Sequence, residues 1–300
     1  MAVSMHEGQL QVSVETVRRL VGQQFPAWSG LAITPVDSSG TVNALFRIGD
    51  LLAARFPLQP SDEAANLLWL ETEARAAAEL LGQTRFATPA PVAIGSPGRG
   101  YPLHWSVQTW IAGTVALEDD PAESVPFARD LADFILGVRA LDTRGRIFSG
   151  DGRGGDLRSH DEWLSTCFAA SKHLVDVPRL RAVWSELRTL PRCAADTMTH
   201  GDLMPGNVLV AAGRLQGVLD VGGLGPADPA LDLVSAWHLL DSGPREVLRQ
   251  TLGCDDVEWA RGQAWALQQA MGLVWYYETS NLVMSRIGRR TLRRILSAPA

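Results

Sequence analysis

Three polar residues stand out in THGDLMPGNVLVAAGRLQGVLDVGG, residues 199–223. They are Asp202, Asn207 and Asp220, set around two short runs of Val and Leu. Carboxylate and amide oxygens are donors that Mg²⁺ selects, usually with some waters retained. A phosphoryl-transfer site needs a carboxylate that orients or deprotonates the attacking hydroxyl. It needs oxygen ligands that hold Mg²⁺ against the phosphates, and a cation that positions them. An Asp on a loop, an Asn five residues on and an Asp after a hairpin can supply the first two. That hairpin would pair NVLVAAG with LQGVLD and turn at Ala212–Gly213, bringing Asn207 and Asp220 close in space. The plain alternative is a loop–strand–turn–strand unit with polar residues at its bends.

Other elements must carry the rest. Residues 13–25, SVETVRRLVGQQF, have helical apolar spacing behind a Ser cap. LAITPVDSSGTVNALFRIGDLLAARFP, 31–57, reads as short strands broken by the turn signals DSSGT and IGD. SDEAANLLWLETEARAAAELLG, 61–82, opens on a Ser or Asp cap and closes at Gly82, so it reads as a helix. TPAPVAIG and HWSVQTWIAG look like two more strands around the turn-rich SPGRGYP. After residues 111–114 the pattern changes. Residues 121–198 read as mostly helical, the strand pair at 207–220 interrupts, and the chain from 228 is helical again. The reading is α+β: residues 1–110 a small antiparallel-sheet lobe with one helix laid across it, residues 111–300 a larger, mostly helical lobe, with a hinge near 109–114.

Bulk properties narrow the classes. The chain has 300 residues, 46% hydrophobic and 20% charged, with net charge −6. That is an ordinary globular composition with no whole-chain bias toward nucleic acid or anionic membrane. No apolar run approaches the ~18 residues of a membrane span, and MAVSMHEGQL has no signal-peptide pattern. Three distant cysteines, Cys167, Cys193 and Cys254, read as reduced thiols of a cytoplasmic protein. The six histidines lack zinc-site spacing. Lys172 is the only lysine in the chain.

HGDLMPGN followed by LD-VG resembles the catalytic loop and metal-binding segment of the aminoglycoside phosphotransferase family, which has a two-lobed protein-kinase-like fold. The kinase pattern also sets its base Asp five residues before its Asn. The resemblance implies that Asp202 is the catalytic base and that Asn207 and Asp220 bind Mg²⁺. His200 belongs to the same loop. In GPADPALDLVSAW, 225–237, Asp232 would brace that loop through backbone hydrogen bonds. Val221 stands where the family usually has Phe.

The same resemblance assigns duties to the first half. A strand cation should anchor the phosphates of ATP or GTP, and a helix carboxylate should hold it. Lys172 lies outside any such strand, so Arg55 in LLAARFP takes the role; Arg is always charged and binds phosphate as a fork. Glu71 and Glu73 point about 200° apart on the helix, and Glu73 is favoured as partner, with Glu71 the alternative. The turn DSSGTVN would lie over the phosphates, offering backbone N–H groups of Ser39, Gly40 and Thr41. VQTWIAG would be the hinge beside the purine, with Gln108 and Trp110 at the nucleotide.

The expected activity is transfer of the γ-phosphate to a hydroxyl of a small molecule, an aminoglycoside-type antibiotic in the first instance. A cellular amino alcohol or sugar, or a nucleotide-binding pseudokinase, is the alternative. A cationic amino sugar would want carboxylates such as Asp241, Glu278 or Asp255–Asp256, with Trp237, Trp275, Tyr276 and Tyr277 as a wall; no motif fixes any of these.

Overall fold

The computed structural model describes residues 8–37, 42–150, 152–192 and 194–297. Within them the chain divides into two compact units. The first holds the residues up to Gly82, then Ala87–Ala112 and Leu219–Gly222. The second holds Gln83–Phe86, Gly113–Val218 and the chain from Gly223.

The first unit opens with α1, Val14–Gln24, capped where Ser13 Oγ accepts from the Thr16 amide. Strands β1 (Ile33–Val36), β2 (Asn43–Ile48) and β3 (Leu52–Pro57) follow, then α2 (Glu63–Leu80), β4 (Pro91–Gly95) and β5 (Trp105–Thr109). The strands form one antiparallel sheet in the order β1-β2-β3-β5-β4. Side chains alternate across a strand. On β3, Ala54 and Phe56 therefore join Phe46, Ile48, Trp105 and Val107 in a core with Val17, Leu20 and Val21 of α1. Arg55, between them, faces the other way. Phe56 and Trp105 stack at 4.8 Å. The α2 helix is capped by Asp62, whose side chain accepts from the Ala65 amide.

The second unit contains β6 (Thr114–Val115), α3 (Val125–Arg139), α4 (Asp161–Ala170) and α5 (Val177–Leu187). Then come β7 (Thr197–Thr199), β8 (Val208–Ala211), β9 (Arg214–Val218) and β10 (Gly225–Ala227). It ends in α6 (Val234–Leu239), α7 (Ser242–Leu252), α8 (Asp256–Tyr276) and α9 (Leu282–Leu296). The expected hairpin is β8–β9, with Val208 opposite Val218 and Ala211 opposite Arg214. Its two turn residues, Ala212 and Gly213, have φ of 50° and 68°, the left-handed pair that lets a two-residue turn follow the strand twist. Helix α8 is the spine, burying Trp265, Leu267, Ala270, Met271 and Val274. α9 packs close to it at Gly288, where a Cβ would come within 2.8 Å of the Ala270 carbonyl.

The stretch read as mostly helical, 121–198, contains α3, α4 and α5, and the described residues of 140–156 between α3 and α4 are not helix. Gly145, Gly152 and Gly154 there take φ of 73°, 74° and 114°, values outside a right-handed helix. Among the described residues no helix is long and apolar enough to cross a membrane.

Candidate active site

The second unit brings together Asp202, Asn207, His200 and Asp232. Asp232 is fully buried on the short turn ahead of α6. Its Oδ2 accepts from the His200 amide at 2.8 Å and its Oδ1 from the Gly201 amide at 2.8 Å. Two charge-assisted bonds thus fix the backbone just before Asp202. Gly201 turns there with φ of 82°. His200 is buried, stacks edge-on to Phe134, and its Nδ1 accepts from the Asp202 amide at 3.3 Å. Past Asp202 the loop closes through Met204 N to Asp202 O and Asn207 N to Met204 O, both 2.9 Å.

The Asp202 carboxylate has three donors. Asn207 Nδ2 donates to Oδ2 at 3.0 Å and to the Asp202 carbonyl at 2.9 Å. Gln269 Nε2 and Arg153 Nη2 donate to Oδ1 at 2.7 and 2.9 Å. Oδ2, with one donor, keeps a lone pair for an incoming hydroxyl. Burial is the largest single influence on this carboxyl and pushes it up. The charge of Arg153 comes next, and with its hydrogen bond, His200 and Gln269 it wins, holding Asp202 below the usual aspartate range.

Neither Arg153 nor Gln269 was anticipated. Gln269 lies mid-α8 and no sequence signal marks it. Its amide is oriented from behind by His238, whose Nε2 is 3.0 Å from Gln269 Oε1 and whose Nδ1 is 2.8 Å from Thr291 Oγ1. Burial pushes His238 down to about 4, so the ring is neutral near pH 7. With Nε2 carrying the proton, the Gln269 NH₂ group faces Asp202. Arg153 had a signal: it is the one charged side chain in the glycine-rich GRGG.

In the first unit, Arg55 is held between two carboxylates. Its Nη1 donates to Glu73 Oε2 at 3.1 Å and its Nη2 to Asp220 Oδ1 at 2.8 Å. The helix partner is therefore Glu73 and not Glu71. Glu73 is pushed above the usual glutamate range, by burial first; Arg55 opposes this and Asp220 adds to it. Asp220 has φ of 55°, a left-handed conformation that Asp tolerates better than most residues. Beyond it, a Cβ on Gly222 would lie 2.6 Å from Glu73 Cγ, so the chain passes the ion pair only as glycine. A cavity of about 200 Å³ is lined by Arg55, Glu73, Leu70, Ser106, Gln108 and Val221, among others. Gln108 pairs with Ala53 across β3–β5. Trp110 is not part of that lining; its ring lies under Arg47 at 5.0 Å. Ser39, Gly40 and Thr41 lie outside the described residues.

The acceptor-side carboxylates are committed elsewhere. Asp241 pairs with Arg294 at 2.7 Å, Glu278 with His173 at 3.0 Å, and Asp256 with Arg249. Asp255 caps α8, and Trp237 is core.

Asn207 in the second unit and Asp220 in the first each belong to the donor class that Mg²⁺ selects. Both offer hard oxygens, Asn207 spends its NH₂ on Asp202, and Asp220 keeps 46% of its side-chain exposure. Among the described residues no cluster of three or more His, Cys, Asp or Glu could hold a metal. Mg²⁺ usually takes only one or two protein carboxylates plus phosphates and waters.

An antiparallel-sheet unit bearing an Arg–Glu pair, followed by a helical unit bearing a braced HGD loop, is the framework of kinase-like phosphotransferases. Similar solved structures include the GDP complex of an aminoglycoside 2'-phosphotransferase-IIIa, 17% identical with a TM-score of 0.70 over 95% of this chain and 99% of that one. Another is macrolide 2'-phosphotransferase MphH from Brachybacterium faecium, 20% identical with a TM-score of 0.60 over 95% and 99%. At these identities the likeness speaks for the fold. An aminoglycoside 3'-phosphotransferase of Escherichia coli is 38% identical over 60 residues, which are 20% of this chain and 22% of that relative. The chain thus matches about a fifth of that relative's length. Residues 32–265 match the Phosphotransferase enzyme family, and the chain belongs to it.

Proposed function

We propose that this protein transfers the γ-phosphoryl group of ATP or GTP to a hydroxyl of an aminoglycoside-type antibiotic, with Asp202 as the base. The observation that carries the reading is the Asp202 carboxylate, held by three side-chain donors and set on a loop pinned by Asp232. The acceptor hydroxyl hydrogen-bonds to Asp202 Oδ2. Its oxygen attacks the γ-phosphorus as the bond to the β,γ-bridging oxygen breaks. The electron pair leaves with the nucleoside diphosphate, and the hydroxyl proton passes to Asp202. A base held below the usual aspartate range is weak, which suits a loose transition state in which orientation outweighs proton abstraction. Arg55, steadied by Glu73, anchors the phosphates, and Gln108 on β5, which lines the cavity, faces the purine. Asn207 and Asp220 would hold Mg²⁺, which when bound neutralises phosphate charge. Residues 1–110 serve as the nucleotide lobe and 111–300 as the catalytic and acceptor lobe.

A neutral or weakly cationic acceptor is a second reading. It is favoured by the pairing of Asp241 and Asp256 with the chain's own arginines and of Glu278 with His173, and by α9, which carries five arginines and no acid. One screen addresses both: nucleoside diphosphate release with ATP and GTP over aminoglycosides, macrolides, amino alcohols and sugars. Asp202→Asn should lower kcat about 10³-fold and leave nucleotide affinity within about twofold. Full activity in that variant would remove Asp202 from the role; release that tracks only macrolides or metabolites would select the second reading.

A further inference from the structure

We propose that Arg153 is the catalytic cation of this transfer, contacting the γ-phosphoryl group as it moves from nucleotide to acceptor. The inference rests on the phosphotransfer reading and adds to it a residue outside the HGD motif. Charge grows and shifts on the phosphoryl oxygens during transfer, and a fixed cation there is worth more than a mobile one. The loop 199–207 contains no Lys or Arg, nor does 219–223, and the one lysine, Lys172, follows α4. Among the described residues, Arg153 is the only Lys or Arg hydrogen-bonded to Asp202.

Its guanidinium is half used. Nη2 donates to Asp202 Oδ1 at 2.9 Å, while Nη1 is buried and has no hydrogen-bond partner. A buried charged donor without an acceptor is uncommon. Both nitrogens belong to one planar fork that matches phosphate oxygens. An anionic oxygen taken up by Nη1 would therefore sit beside the carboxylate that holds the acceptor hydroxyl.

The loop bearing Arg153 is anchored from the core. The Asp228 amide donates to the Gly154 carbonyl at 2.9 Å, and Arg261 Nη2 to the Gly155 carbonyl at 3.2 Å. Arg261 is itself locked on buried Asp228 at 2.6 Å, which also accepts from Trp265 Nε1. Gly154 and Gly155 allow this closeness: a Cβ would come within 2.6 Å of Ala227 at the first and of the Phe148 ring at the second. Before transfer, Arg153 Nη2 holds the Asp202 carboxylate by its hydrogen bond to Oδ1. When the hydroxyl proton reaches Asp202, the carboxylate loses its charge, and the guanidinium charge is left to the phosphoryl group, whose bond to the leaving oxygen is breaking.

The test compares wild type, Arg153→Lys and Arg153→Gln by kcat, by thermal melting, and by affinity for ADP or GDP with Mg²⁺, with and without aluminium fluoride, which mimics the phosphoryl group in flight. The expected result for Arg153→Gln is a kcat about 10³-fold lower, diphosphate affinity within about twofold of wild type, and loss of the fluoride-dependent tightening. Arg153→Lys should recover part of both. Undiminished tightening in Arg153→Gln overturns the inference whatever its kcat, because an arginine acting only through Asp202 would leave the mimic's affinity unchanged. Should Arg153→Gln fail to fold, Arg153→Met carries the test, and full tightening there overturns it equally. Failure of the phosphotransfer reading looks different: wild type itself would show no tightening and no transfer.

Discussion

Each unit holds a carboxylate against an arginine at nearly the same distance, Glu73 on Arg55 at 3.1 Å and Asp202 on Arg153 at 2.9 Å. Yet the two acids move in opposite directions: Glu73 is raised and Asp202 lowered. Burial opposes ionisation at both, so the difference lies in the donors. Glu73 has a single cation, shared with Asp220, whose negative charge adds to its burden. Asp202 has a cation, two amide donors and no rival carboxylate on Arg153. One arginine is not enough to make a buried acid comfortable as an anion; saturation with donors is. Glu73 thus reads as a brace for Arg55, and Asp202 as a group built to remain charged and accept.

The largest break in this contrast should come from Asp232→Ala. It would leave the His200 and Gly201 amides without their buried acceptor, at a cost of about 3 kcal/mol. The loop bearing Asp202 would lose its register, and a misplacement of about 1 Å can cost about 10²-fold in rate. Chemical denaturation and kcat should therefore fall together, while nucleotide affinity, governed in this reading by the first unit, should change least. A variant with normal stability and rate would show that the loop holds itself.

The first unit breaks differently. Gly222→Ala would push a methyl against the Glu73 stem at 2.6 Å, and Glu73 can only answer by releasing Arg55. The expected result is a nucleotide KM raised about tenfold, equivalent to one displaced charge-assisted bond of roughly 1.5 kcal/mol, with kcat little changed. A rise in kcat loss without a rise in KM would place Gly222 with the catalytic loop instead.

How far these regions were legible in the sequence follows from how local they are. Asp202 and Asn207 lie five residues apart on one loop, and the β8–β9 hairpin announced itself through two apolar runs and a Gly turn. The Arg55–Glu73 pair was legible because a strand and a helix lie close in sequence and the missing lysine called for a substitute. Gln269 was not, since a polar residue in a mostly buried helix has no distinguishing neighbours; only packing turns it toward Asp202. Arg153 sits in a glycine-rich loop, where helical periodicity offers no guide, and the contacts that clamp that loop, Gly154 to Asp228 and Gly155 to Arg261, join residues 74 and 106 positions apart.

The smallest expected effects concern pH, and they test the contrast directly. A raised acid such as Glu73 binds its proton more tightly folded than unfolded. Its contribution to stability is fully present below its unfolded value near 4.5 and is lost as pH rises through its folded value. Asp202, lowered, behaves oppositely: its contribution is present above its unfolded value near 3.8 and lost as pH falls through its folded value. Glu73→Gln should therefore gain stability relative to wild type between pH 4 and pH 7, measured by denaturant midpoints. Gln269→Leu removes one of the donors holding Asp202 down, so the acid limb of kcat/KM should move to higher pH, and more Asp202 should be protonated in mild acid. A Glu73→Gln variant that loses stability with rising pH, or a Gln269→Leu profile that coincides with wild type, would mean that the two acids are tuned alike and that donor number does not separate them.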